Sequence, residues 1–193
     1  MKDLERAELD RIRRVVARHA IQTLTIPGDL MADLGCGTGA ALIEAMRAGR
    51  MAIGIEPSPR LASEALANIA GVTANDIPGF AAVAVGDPID AALLVGADVL
   101  GEVRLALINL AGADVPIESL TDGLDACESL LAAGGRVVVS FTCRTRPATR
   151  ADVEAIHEAA VWAGLEPDDT MGSEFTDSRM TSVIVLRKAV SVS

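Results

Sequence analysis

The chain has 193 residues and a net charge of −10 at pH 7, from 17 Lys and Arg against 27 Asp and Glu. That length suits one domain rather than two, and the acidic surplus disfavours binding to a phosphate backbone, so nucleic acid is not an expected partner of the chain alone. Half of the residues are apolar, yet there are three Phe, one Trp and no Tyr, which predicts an aliphatic core suited to a parallel sheet under helices and leaves few rings for stacking on bases.

Residues 1–10 alternate charges and lack the apolar centre of a signal peptide, and no apolar run approaches membrane-spanning length, so a cytoplasmic protein is expected. Leu4, Leu9, Ile12, Val15, Val16 and His19 recur at mostly helical spacing and predict an amphipathic leading helix over 3–24, ending before Pro27-Gly28-Asp29. Arg11, Arg13, Arg14 and Arg18 of this helix read as a solvated face, as do Arg144, Arg146 and Arg150 later. A strand over 30–34, a helix over 39–48, a strand over 51–55 and a helix opened by Ser58-Pro59 complete two βα units by Gly71.

A third strand is predicted over 81–85, ending at Gly86-Asp87-Pro88, with weak helix or loop over 89–98 and a fourth strand over 103–109. A loop holding Gly112 and Pro116 leads to a helix over 117–131, which Gly134-Gly135 ends before a β-branched strand over 136–142. A helix over 152–163 closes at Gly164, and two extended segments follow over 166–175 and 179–188, joined by a turn at Asp177-Ser178. The expected fold is α/β: a doubly wound, mostly parallel seven-stranded sheet with a C-terminal antiparallel hairpin, preceded by an N-terminal helix. The whole chain, 1–193, reads as a single domain, with a leading helix over 1–26 and a core over 27–188.

The chemistry concentrates at Asp33-Leu34-Gly35-Cys36-Gly37-Thr38-Gly39, where an apolar strand turns through three glycines into a helix. Glycine permits positive φ and close approach of a ligand, and the first amides of the helix are expected to be available to it. Glu56-Pro57 ends the second strand, where the acid is placed to accept hydrogen bonds from ribose hydroxyls. Cys36 reads as a small residue filling a tight turn, and with Cys127 and Cys143 at wide spacing it predicts free thiols rather than a zinc site or a disulfide; no metal is expected. The dinucleotide pattern Gly-x-Gly-x-x-Gly presents a helix N-terminus to a pyrophosphate, whereas here the third glycine comes one position early and Asp33 would repel phosphate. An NAD-dependent oxidoreductase is therefore disfavoured.

These residues resemble the first motif of class I S-adenosylmethionine (SAM)-dependent methyltransferases, with Glu56 at the second motif and Gly86-Asp87 at the third. The resemblance runs from about Pro27 to Lys188 and implies SAM as cofactor, with Asp33, Gly35, Cys36, Gly37 and Gly39 shaping its amino-acid end, Glu56 and Pro57 at the ribose, Asp87 at the adenine and Asn109 beside it. Pro27-Gly28-Asp29, Ala45, Gly49-Arg50 and Ile53-Gly54-Ile55-Glu56 further resemble amino-methylating DNA and RNA methylases. Those enzymes carry Asn/Asp/Ser-Pro-Pro-Tyr/Phe after strand 4, where this chain reads Asn109-Leu110-Ala111-Gly112 and has lost the ring that stacks on a flipped base.

Asn109 is the candidate catalytic residue, either touching substrate or capping a neighbouring loop. His19 and His157 read as helix-surface or interface imidazoles, Asp114 and Glu118 as solvated loop acids, Trp162 as packing at a helix end, and Thr142 and Arg144 as rim positions near the ligand side. Two functions fit: a SAM-dependent methyltransferase acting on an unidentified acceptor, or a non-catalytic methyltransferase-like binding or regulatory subunit. A homodimer or a partner protein is compatible with either.

Overall fold

The computed structural model describes residues 2–73, 77–111, 117–142, 149–168 and 181–190. In chain order the elements are α1 (Lys2–Leu24), β1 (Leu30–Leu34), α2 (Ala40–Arg47), β2 (Met51–Glu56), α3 (Pro59–Thr73), β3 (Phe80–Val85), a 3-10 turn (Pro88–Asp90) running into the short α4 (Ala91–Leu94), β4 (Val103–Ala111), α5 (Ile117–Leu130), β5 (Leu131–Thr142), α6 (Arg150–Trp162), β6 (Leu165–Pro167) and β7 (Thr181–Lys188). The seven strands form one sheet in the order β3-β2-β1-β4-β5-β7-β6. The first five are parallel, and β7 runs antiparallel to both β5 and β6. This is the doubly wound sheet with a C-terminal hairpin that the βα alternation predicts.

Alternation along each central strand divides the core into two layers. Met31, Leu105, Leu107 and Val138 pack with Ile12, Val16, Ala17, Leu42 and Met46 on the face covered by α1 and α2. Ala32, Leu34, Ala106, Ile108, Val137 and Val139 pack with Leu124, Leu130 and Ile156 on the face covered by α5 and α6. Among the described residues no aromatic side chain belongs to either layer, in keeping with the aliphatic composition.

Several boundaries differ from the sequence reading, each for a local reason. β4 runs on to Ala111 because it pairs with β5 as far as Ala111–Thr142, so Asn109 lies within the strand. β5 begins at Leu131, which pairs with Val103, before the register jumps to Leu105–Arg136 through Gly134 at φ 72°. α6 begins at Arg150, after a reciprocal cap in which Asp152 N–H donates to Thr149 Oγ1 (3.3 Å) and Thr149 N–H donates to Asp152 Oδ2 (2.6 Å). The penultimate strand is only three residues long. The turn at Asp177-Ser178 lies outside the described residues.

Gly49-Arg50 has a structural task. The Arg50 side chain is buried and donates from Nε to Thr25 Oγ1 (2.9 Å), from Nη2 to Thr25 O (2.9 Å) and from Nη1 to Ala48 O, which ties the end of α1 to the end of α2. α1 is also fixed by Arg18 Nε donating to Glu44 Oε2 at 2.9 Å. Trp162 departs from expectation: it is 76% exposed, because α6 turns its packed face inward through Ile156, Ala159 and Ala160. Among the described residues no helix is long and apolar enough to cross a membrane.

Candidate functional site

The sheet order reverses between β1 and β4, the place where open α/β sheets take their ligands, outside the C-terminal ends of the strands. β1 leaves the sheet there through Gly35, Gly37 and Gly39, at φ 80°, 58° and 81°. Gly39 serves as the N-cap of α2, and a Cβ on it would come within 3.2 Å of Ala65 on α3. At Gly35 a Cβ would meet nothing within 4 Å, so this glycine borders open space.

Four amides of the turn itself are spent within the protein. Gly35 N–H and Cys36 N–H donate to Ile55 O (2.8 and 3.1 Å), Gly39 N–H donates to Cys36 O (3.0 Å), and Gly37 N–H donates to Glu56 Oε2 (2.8 Å). The turn is also clamped by Thr38 Oγ1 donating to Asp10 Oδ2 (3.1 Å) and Asn68 Nδ2 donating to Thr38 O (3.0 Å). Its shape is thus built into the protein, and α2 opens without a side-chain cap.

Glu56 is buried and uses both oxygens on main chain, since Oε1 accepts from Ser58 N–H at 2.9 Å. Pro57 is exposed beside it. Cys36 is buried against Gly54, where a Cβ would stand 2.7 Å from Sγ, and burial pushes its thiol well up from the usual range. A protonated thiol enclosed in this way acts as turn filling rather than as a nucleophile.

Asp33, Asn109 and Ser140 lie on the α1 side of three adjacent strands, where they line one small cavity with Arg13, Val16 and Ala17 of α1. Its volume is about 20 Å³, room for one water. Burial raises the Asp33 carboxyl to about 6; the Arg13 guanidinium opposes the rise and Glu56 adds to it. Asn109 Oδ1 and Arg13 Nε are buried without a hydrogen-bond partner. An orphaned buried oxygen costs free energy unless a ligand or water satisfies it.

On the other side of Asn109 an open groove of about 390 Å³ runs over Leu34, Gly35, Asp87, Pro88, Ile108, Asp122 and Gly123. Asp87 is exposed there, with Oδ1 accepting from Ile89 N–H at 3.1 Å. Asn109 belongs to the lining of both spaces. His19 and His157 are half-buried on α1 and α6. Asp114, Arg144 and the side chains of Glu118 and Thr142 lie outside the described residues, and among those described no cluster of His, Cys, Asp and Glu is arranged to hold a metal.

Two residues escape the sequence reading. Asp122 reaches the groove from α5. Arg13, grouped by sequence with solvated arginines, turns inward while Arg11, Arg14 and Arg18 are exposed. The signal was its place one residue after buried Ile12 and three and four before Val16 and Ala17, on the packed face.

No protein-family model and no curated protein sequence matches the chain. Its fold does have solved counterparts. Magnesium protoporphyrin IX methyltransferase from Synechocystis, solved with S-adenosylhomocysteine (SAH), superimposes at TM-score 0.71 with 18% identity over 95% of this chain and 85% of that one. Geranyl diphosphate C-methyltransferase from Streptomyces coelicolor gives 0.64 with 18% identity over 95% and 82%. A TehB-like SAM-dependent methyltransferase from Corynebacterium glutamicum gives 0.63 with 18% identity over 97% and 100%. The fold is that of the class I SAM-dependent methyltransferases.

Proposed function

We propose that the chain binds SAM and transfers its methyl group to an acceptor still to be identified. The observation that carries this reading is the groove of about 390 Å³ that opens over Gly35 between Asp87 and Asn109. It falls within the 300–1,000 Å³ or so of small-molecule sites. The groove fits the nucleoside part of such a ligand, with a floor open at Gly35 and exposed Asp87 for an amino donor on a base, and the Asp33 carboxylate suited to an ammonium group lies in the small cavity on the other side of Asn109. Two of the similar structures are described as complexes with SAH.

In this reading Asp33 holds the amino-acid end, Gly35, Cys36, Gly37 and Gly39 give the turn its shape, and Glu56 acts from beneath the ribose with Pro57 beside it. Asp87 takes the adenine, and Asn109 orients the acceptor or the cofactor through its free oxygen. SAM supplies the methyl group as an electrophilic carbon on a sulfonium. Transfer then depends chiefly on alignment of the acceptor, so a site without a positioned imidazole is no obstacle.

A second reading, a binding or regulatory module, is favoured by one observation: beyond Asn109 the space is only about 20 Å³ and is bounded by α1. Calorimetric titration with SAM, SAH and NAD separates the possibilities. Binding of the adenosyl-sulfur ligands and not NAD is expected, and absence of both SAM and SAH binding would overturn the proposal. Mass spectrometry of SAM incubated with the protein and a cell extract then distinguishes an enzyme, which converts it to SAH, from a module, which leaves it intact.

A further inference from the structure

The glycine turn already has a cation over it. Arg13 Nη1 stands so close over Gly37 that a Cβ there would clash with it, and the same side chain shares a water-sized cavity with Asp33. We propose that Arg13 is a resident counter-ion of Asp33, which the ammonium group of an incoming cofactor displaces, so that Arg13 lowers the affinity for ligands carrying an amino-acid end. The inference rests on the reading of Asp33 as the ammonium site given above.

Three features make Arg13 the part that yields. α1 itself is anchored by buried Ile12, Val16, Ala17, Ala20 and Ile21 and by the Asp10–Thr38 and Arg18–Glu44 contacts, so undocking the helix would expose a large apolar face. The Arg13 side chain is only half-buried and its Nε has no hydrogen-bond partner, so rotating it outward breaks little. The space left beside Asp33, about 20 Å³, lies against the Arg13 guanidinium, so an ammonium group entering it meets a like charge at short range until Arg13 swings away. Occupancy by Arg13 therefore reduces the fraction of molecules ready to bind, and apparent affinity falls by that fraction.

The test compares SAH with 5′-methylthioadenosine, which keeps the nucleoside and thioether but lacks the amino-acid end. Both are titrated calorimetrically into the full chain, wild type and Arg13→Gln, with melting temperature checked for each. Arg13→Gln should bind SAH about five- to tenfold more tightly, the gain expected if Arg13 leaves roughly a tenth to a fifth of the molecules ready to bind, with methylthioadenosine affinity unchanged. Arg13→Lys, which keeps a cation, should stay near the wild-type ratio of the two affinities. Weaker SAH binding by Arg13→Gln would mean that the guanidinium holds the ligand, and an equal shift for both ligands would mean that it acts on the turn's shape; either overturns this inference alone. Binding of neither ligand to any of the proteins would overturn the cofactor reading of the groove as well.

Discussion

Gly37 N–H donates to Glu56 Oε2 at 2.8 Å, so the acid ending β2 is part of the glycine turn that follows β1. With Ser58 N–H on the other oxygen, Glu56 has a folding task besides any ligand it takes. Glu56→Ala leaves two N–H groups without their acceptor and should cost roughly 2–4 kcal/mol, with Glu56→Gln near half of that. Urea unfolding measures the loss, and SAH titration of the variants should show weaker binding. A Glu56→Ala protein as stable as wild type would contradict the structural part of this account.

Asp87 contrasts with Glu56. It is exposed and caps only the short 3-10 turn through Ile89 N–H. Asp87→Ala should therefore change stability by only about 0.5–1 kcal/mol, while SAH affinity drops. Unchanged SAH affinity, measured alongside an intact melting temperature, would remove Asp87 from the adenine site.

Asp33 gives the site a pH signature. Its carboxyl is raised to about 6, first by burial, with Glu56 adding and Arg13 opposing. Between the ordinary Asp value near 4 and about 6, the folded protein retains a proton that the unfolded chain has released. Asp33's contribution to stability thus falls as pH rises through that window, and above it the full cost of roughly 3 kcal/mol is present. Asp33→Asn should flatten this part of the stability–pH curve. A ligand ammonium favours the ionised carboxylate, so SAH binding should release protons and weaken as pH falls below about 6, and Asp33→Asn should lose that dependence. Calorimetry in buffers of different ionisation heat reads the proton count directly.

What the sequence made legible follows from periodicity. The run Met31-Ala32-Asp33-Leu34 alternates faces, and the same alternation in β4 and β5 puts Asn109 and Ser140 on the side of Asp33, beneath α1. The parallel sheet and the closing hairpin follow from the βα repeat. Three things were hidden because they depend on distant partners. The bond from Gly37 N–H to Glu56 arises only when β1 and β2 stand side by side. The inward turn of Arg13 depends on how α1 sits over β4. Trp162, the one tryptophan, looked like packing by its chemistry, yet it lies on the outer face of α6.

Gly54 and Cys36 offer a test of how the turn is packed. A Cβ on Gly54 would lie 2.6 Å from Leu42 Cδ1 and 2.7 Å from Cys36 Sγ, so β2 needs glycine there to let the cysteine fill the turn. Gly54→Ala should cost about 1–3 kcal/mol by overpacking. Cys36→Gly removes the atom in the way but leaves its own void, so each single change destabilises. In the double variant the new methyl occupies the vacated space, and a favourable coupling of roughly 0.5–3 kcal/mol is expected. Chemical unfolding of the four proteins yields this coupling, and strict additivity would show that Leu42, rather than Cys36, sets the requirement for glycine at this position.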